Sequence, residues 1–467
     1  MPSALDSRHD HPDPPAPDTQ RDPVDERLPL KAMLLFGLQH VLVMAAAPIT
    51  AVFLVGQALG FGTDVTVPLM SATFLACGIG TLLQSFGPFG FGARLPFVQV
   101  PGGAPIVIFL AIAQATDMQT ATGAVILTGL FYFLALPFFT RVLRFFPPIV
   151  IGTMLLLVAV NLVKIFGGLI AGRTGTPGYA DPAGILLAIT TMAAIVLCAR
   201  VFSGVLRRIS VMIGLVCGAL IATALGFVDF DGVFTGPIVA LPQLFPFGLP
   251  KFDVIASLPL IIFSVVSMTE ATGQTMATAE IVGKRGDPRA LVPRNIRADA
   301  LGSLFGGCLG TSLIITSGEN IGIVRATGVR SRYVTVAAGA LLILIALFAP
   351  LGRLAATLPT AVVAGTAVIV FAIIGVMGIN ILRKVDLNEH GNLYVLASAL
   401  AMGLLPIVVP GFYSEFPTHL QIILGNGLAM GTLTAVIVNL LFHHLSNGAS
   451  AKRESPVTAA TDQEPKA

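Results

Sequence analysis

The sequence contains no tryptophan, and only 11% of its 467 residues are charged. A soluble domain carries roughly 25% charged residues, so an ordinary water-facing globule is excluded. The four cysteines, Cys77, Cys198, Cys217 and Cys308, stand in apolar stretches without a CxxC pair. That argues against a disulfide framework and against zinc. A net charge of +3 is too small to point to nucleic acid. There is no GxxxxGK[ST] loop, which argues against an ATP-driven pump. There is also no HExxH, GxSxG or paired-Asp metal motif, so nothing indicates an enzyme, a cofactor or a metal site.

What remains is apolar: 55% of residues are hydrophobic and the mean hydropathy is +0.88. The chain reads as an all-α polytopic membrane protein in contact with lipid. Its 49 Gly and 32 Pro suit closely packed and interrupted membrane helices. A membrane crossing needs roughly 20 apolar residues. Fourteen stretches are candidates, at 32–57, 66–87, 95–115, 121–139, 146–170, 183–200, 208–226, 253–280, 292–308, 311–325, 333–350, 354–382, 392–411 and 420–443. Residues 1–30 and 446–467 are polar and are expected to be disordered cytoplasmic tails, with no signal peptide and no soluble C-terminal domain. Arg27, Lys31, Arg200, Arg207, the basic group from Lys284 to Arg297, Arg330, Arg332, Arg383 and Lys384 fall on one side if both termini are inside. The opposite loops carry Asp64, Asp117 and Asp229.

Two of the fourteen stretches are defective as spans. The third contains Pro96, Pro101, Gly102, Gly103 and Pro105. The tenth, G-G-C-L-G-T-S-L-I-I-T-S-G-E-N-I-G-I-V-R at 306–325, carries a β-branched piece from Thr311 to Thr316. There a helix is expected to start at Ser317-Gly318, with Glu319 and Asn320 in its first turn. F-G-A-R-L-P at 91–96 has a weak counterpart in F-G-G-C-L-G at 305–310, placing each break in the third span of a seven-span half. Seven is odd, so the halves must run in opposite senses through the bilayer. Inverted repeats with paired broken helices describe a secondary transporter. Irregular backbone at membrane depth survives only where protein covers it or it lines a cavity.

Glu270 lies mid-span in S-M-T-E-A-T-G-Q, where a carboxylate costs about 2.5–3.5 kcal/mol on insertion scales. Gln274, four residues on, shares its helix face, and Thr272 and Gly273 complete a polar patch. A substrate carboxylate site is one reading; a protonated acid bonded across helices is the other. Glu319 and Asn320 open the half-helix of the tenth span, where free backbone N–H groups can meet a ligand carbonyl. Glu319 could equally cap its own helix. Gly102, Gly103, Ala104 and Gly318 would let a flat ligand approach bare backbone, or serve close packing. Gln39-His40 in the first span could titrate or hold a neighbouring helix. Glu280 and Asp299 are expected to be solvated or paired with the nearby Arg cluster.

E-N-I-G-I-V-R-A-T-G at 319–328 resembles the signature of the nucleobase–ascorbate transporter (nucleobase:cation symporter-2) family. Gln39-His40 resembles its QH pair, and T-E-A-T-G-Q at 269–274 its E-x-x-G-[D/H] motif. The resemblance runs from about residue 31 to 443. It implies fourteen transmembrane segments in two inverted seven-span repeats, with spans 3 and 10 broken by short antiparallel strands. It implies a core domain (31–140 and 253–350), a gate domain (141–252 and 351–445), a homodimer and elevator-like motion. Substrate would be held by Glu270, Glu319, Gln274, Asn320, Gly103, Ala104 and Gly318. Import across the inner membrane would be coupled to protons through Glu270, Glu319 or His40. Gln274 departs from the family's Asp or His and cannot carry a proton. Glu319 is similar to uracil-type members, whereas A-T-G-V-R-S-R at 326–332 is similar to xanthine and urate members. A purine such as xanthine or urate is favoured, with uracil as the alternative and a sulfate-permease-like anion transporter a more remote one.

Overall fold

The computed structural model describes residues 22–139, 145–172, 178–230, 233–239, 241–285, 287–417, 420–421 and 424–445. The tails expected at 1–30 and 446–467 lie outside these, apart from 22–30. So do the side chains of Glu319 and six other residues, Val205, Arg208, Pro288, Ala326, His444 and Leu445.

Among the described residues, eight helices are long and apolar enough to cross a membrane. The chain begins with α1 (Leu30–Met44) and α2 (Ala46–Leu59), which join at Ala45 into one 30-residue apolar run. Then follow α3 (Thr63–Phe86), the strand β1 (Gln99–Pro101), α4 (Gly103–Ala115) and α5 (Met118–Ala135). Next come α6 (Pro148–Ala171), α7 (Pro182–Val201) and α8 (Ser210–Ala224). The second half holds α9 (Val254–Val282), α10 (Val292–Cys308), the strand β2 (Ile314–Thr316) and the short α11 (Glu319–Thr327). It ends with α12 (Tyr333–Leu347), α13 (Ala349–Ala356), α14 (Thr360–Leu382), α15 (His390–Val408) and α16 (Gly427–Leu440).

Starts and stops follow local chemistry. Asp117 caps α5 by accepting from Thr120 N, and Asp253 caps α9 by accepting from Ile255 N and Ala256 N. α3 stops at Gly87, whose φ of +62° is a left-handed conformation that glycine adopts without cost.

The two strands pair antiparallel, Gln99 with Thr316, Val100 with Ile315 and Pro101 with Ile314. Gly102 N to Leu313 O (3.3 Å) and Ser317 N to Val98 O (3.0 Å) extend the ladder at either end. All six strand residues are buried. β1 and β2 run oppositely, and each is followed at once by a helix. α4 and α11 therefore follow from opposite ends of a three-residue ladder, about 7 Å apart along it.

The helices pack in two sets. α1, α3, α5, α9, α10 and α12 pack chiefly on one another and hold β1, β2, α4 and α11 among them. α6, α7, α8, α14, α15 and α16 form the second set, with α6 lying along α14. That crossing is closed by glycine. A Cβ at Gly378 would stand 2.8 Å from Gly152 O and 3.0 Å from Leu156 N. Small residues at such a crossing let the two backbones meet.

Gly378→Val should therefore lower the melting temperature in detergent by a few degrees, since overpacking costs about 1–3 kcal/mol. Gly167→Val on α6, where a Cβ would meet nothing within 4 Å, should leave it unchanged. Equal melting of the two variants would remove the wedge argument.

Candidate functional site

The two half-helix starts face one cavity of about 480 Å³ between the two helix sets. On one side it is lined by Gly102 and Gly103 at the start of α4, Ser317 and Gly318 before α11, and Thr269, Glu270, Gly273 and Gln274 of α9. Residues 270, 273 and 274 share one face of α9 because their spacing is that of a helical turn. The opposite wall is apolar: Ile151 and Leu155 of α6, and Val370, Phe371, Ile374, Met377 and Ile381 of α14. Phe371 is its aromatic member, stacked on Phe166 with ring centroids 5.3 Å apart.

Missing side chains shape this space. A Cβ at Gly103 would stand 2.8 Å from Phe371 Cε1, and one at Gly318 2.9 Å from Gln274 Nε2. A Cβ at Gly273 would meet nothing within 4 Å, because that residue faces the opening.

Glu270 is half-buried, and among the described residues its carboxylate has no hydrogen-bond or ion-pair partner. Gln274 Oε1 is buried without a partner. The N-caps of α4 and α11 are Gly102 and Gly318, and no side chain caps either helix. The first N–H groups of a helix have no intrahelical acceptor. The cavity thus offers acceptors on α9 and donors at two helix starts, where the helix dipole adds partial positive charge. That set suits a flat, neutral ligand bearing both ring N–H groups and carbonyls.

The structure brings Glu270, Gln274, Gly103 and Gly318 together on the lining. Ala104 is buried one residue beyond it, with 6% exposure. Asn320 is fully buried and turned elsewhere: His40 Nδ1 lies 2.5 Å from its Oδ1, and its Nδ2 donates to Pro96 O. With Nδ2 donating, Oδ1 accepts, so His40 carries its proton on Nδ1. The pair ties α1 to the start of α11 and to the loop before β1. Glu319 opens α11, and its side chain is outside the described set.

One expectation is overturned. Asp299 is neither solvated nor paired with arginine: it is 1% exposed and sits behind the strand pair. Its Oδ1 accepts from Gln99 Nε2 (2.6 Å), Thr316 N (3.0 Å) and the Thr316 hydroxyl (2.6 Å). Gln84 Nε2 donates to Thr316 Oγ1 (2.9 Å) and to Asn295 Oδ1. Asn295 Nδ2 donates to Thr275 Oγ1 (2.6 Å) on α9, next to Gln274. One polar network therefore joins both strands to the helix that carries Glu270. Taken singly, Gln84, Gln99 and Asn295 carry no signal of this role in the sequence, because each is an ordinary polar residue. The signal was Asn295 and Asp299 at a spacing of four, on the face of α10 opposite exposed Arg294. Glu280, by contrast, is exposed.

Comparison with known proteins places the chain in a family. A family model described as a permease family matches residues 31–412. The chain is 30% identical over 422 residues to the xanthine permease of Bacillus subtilis, covering 90% of this chain and 96% of that one. It is 30% identical over 457 residues to the uric acid transporter UacT of Escherichia coli, covering 97% and 94%. Among solved structures, the transmembrane domain of a cyanobacterial bicarbonate transporter, BicA, superposes with a TM-score of 0.56 at 17% identity, covering 89% of this chain and 99% of that one. The murine anion transporter Slc26a9 gives 0.59 at 13% identity, covering 89% and 69%. These two likenesses concern the fold alone. With its family match spanning most of the chain and its relatives aligned almost end to end, the protein is a member of the nucleobase:cation symporter-2 permease family.

Proposed function

We propose that this protein is a secondary active transporter that imports a nucleobase, a purine such as xanthine or urate, across the inner membrane by proton symport. The observation that carries the reading is the shared cavity of Glu270, Gln274 and the two uncapped helix starts at Gly102 and Gly318. A planar base presents ring N–H groups to Glu270 and to Gln274 Oε1. Its carbonyls meet backbone N–H groups at α4 and α11. Glu319, Asn320 and Ala104 belong to this second side, as ligand or as the frame around it.

Fourteen spans in two inverted seven-span repeats would account for the two broken stretches and for the shorter apolar helices beside the eight long ones. Residues 31–140 and 253–350 form the moving core, and 141–252 and 351–445 the gate that packs on a second copy as a homodimer. Both termini face the cytoplasm. The apolar gate wall from α6 and α14 makes no demand on the ligand's polar edge, so a core carrying its base can slide past it. A bare carboxylate resists that passage, because desolvating a charge without compensation is costly. Proton uptake at Glu270, or at Glu319 or His40, together with the bound base, removes the cost. Gln274 cannot take that part, since an amide does not titrate. Uracil is the second reading, favoured by a Glu rather than a Gln at position 319.

Three outcomes are expected. In a thermal-shift panel on purified protein, xanthine or urate should raise the melting temperature more than uracil, adenine or sulfate; a shift with sulfate alone would refute the nucleobase reading. Glu270→Gln should cut uptake of labelled xanthine by about tenfold or more, since a hydrogen bond to a charged group is worth about 1.5–3 kcal/mol; undiminished uptake would remove Glu270 from the site. Asp299→Asn should also depress uptake, because the amide confronts donors that the carboxylate accepted, at a cost of about 1–3 kcal/mol. Uptake and melting both at wild-type level would show the strand network to be dispensable.

A further inference from the structure

The half-helix α11 has nine residues. Isolated helices shorter than about 12–15 residues are marginal even in favourable sequences, so packing must decide where α11 sits. Its inner flank, Ile323, joins the main apolar core. Its other flank, Ile321 and Val324, joins a separate small cluster with Ala93, Leu95, Phe97, Ala279, Val282 and Leu291. Val24, from the segment before α1, belongs to the same cluster, with 0% exposure.

Residues 22–26 are built to hold Val24 there. Pro23–Asp25 form a single 3₁₀ turn with Pro at its first position. In such a turn, positions three apart lie on one edge, which places Asp22 and Asp25 side by side. Asp22 meets Lys284 Nζ at 2.6 Å and accepts from Arg285 N at 3.1 Å, just past the end of α9. Asp25 accepts from Arg332 Nε at 2.5 Å, at the start of α12. Arg332 N donates to Val24 O (3.0 Å) and Ser331 Oγ to Glu26 O (2.5 Å). The Asp22–Lys284 pair is largely shielded, with side-chain exposures of 19% and 16%. The Lys284 ammonium holds the Asp22 carboxyl below the usual carboxylate range.

We propose that residues 22–26 are a positioning clip that seats α11 against α9 and thereby sets the affinity of the cavity for its ligand. None of residues 22–26 lines the cavity. The clip acts just past the end of α9, about 18 Å along that helix from Glu270, and on the flank of α11 formed by Ile321 and Val324. Without it, Ile321 and Val324 lose their cover and the start of α11 is free to drift from the α9 face that bears Glu270 and Gln274.

The inference uses the nucleobase reading only for its probe. Full-length Asp22→Lys, Asp22→Lys/Lys284→Asp and Val24→Asp are expressed in cells, and the KM for labelled xanthine and the amount in the membrane are measured. Asp22→Lys and Val24→Asp should raise KM about fivefold or more, as expected for losing a shielded contact of about 1 kcal/mol, at unchanged membrane amount. The charge swap should bring KM back toward the wild-type value. An unmoved KM, or one raised and not relieved by the swap, overturns the clip. If Val24→Asp fails to reach the membrane, the swap series decides alone. If the wild-type protein takes up no base, the functional reading has failed and the clip is judged by hydrogen–deuterium exchange instead. Faster exchange over 319–327 in Asp22→Lys, reversed by the swap, supports it; unaltered exchange there overturns it.

Discussion

Everything in this molecule turns on a rule of the bilayer interior: a backbone N–H or C=O with no partner there costs several kcal/mol. A helix can begin mid-membrane only if the chain leading to it satisfies itself some other way. Here the three-residue ladder of β1 and β2 does so, and Gly102 N and Ser317 N extend it. Each strand answers for the other, so neither break could exist alone. The same device leaves the first N–H groups of α4 and α11 without an intrahelical acceptor, beside the cavity that Gly102, Gly103 and Gly318 line.

Around the ladder the two walls of the cavity divide the work. The α9 side is polar and formed from small residues, with Glu270 and Gln274 above open space at Gly273. The α6 and α14 side is apolar, with Phe371 its aromatic member. In the proposed mechanism the polar wall recognises the base and the apolar wall lets the loaded core slide. Behind the ladder, Asp299, Gln99, Thr316, Gln84 and Asn295 bind strands and helices into one unit. Buried polar networks of this kind are costly when incomplete and rigid when satisfied. Rigidity is what a site needs if it is to move as one body.

Much of this was legible in the residues. A mid-span acid, Pro and Gly clustered at 96–105, and Thr311–Thr316 followed by Ser-Gly each violate what a plain membrane helix tolerates, so they stand out in a single sequence. Glu270 and Gln274 read as one face because helical spacing is local. Asp299 was misread for the converse reason. Its neighbours along the chain are Arg294 and Arg297, and proximity in sequence favoured them, whereas its partners Gln99 and Thr316 come from two other elements. Asn320 likewise looked available to a ligand until His40 and Pro96 proved to occupy both ends of its amide.

The amino-acid order by itself determined that this chain lives in a membrane, where its helices are interrupted, and which acid stands uncompensated within a span. These are properties of hydropathy and local spacing, which need no partner to be expressed. Only the tertiary structure decided which polar side chains face the cavity and which face each other. A hydrogen bond between Gln99 and Asp299, or between Asp22 and Lys284, joins positions 200 and 262 residues apart. No periodicity records such a pairing, because it comes from how whole elements pack rather than from what either residue is.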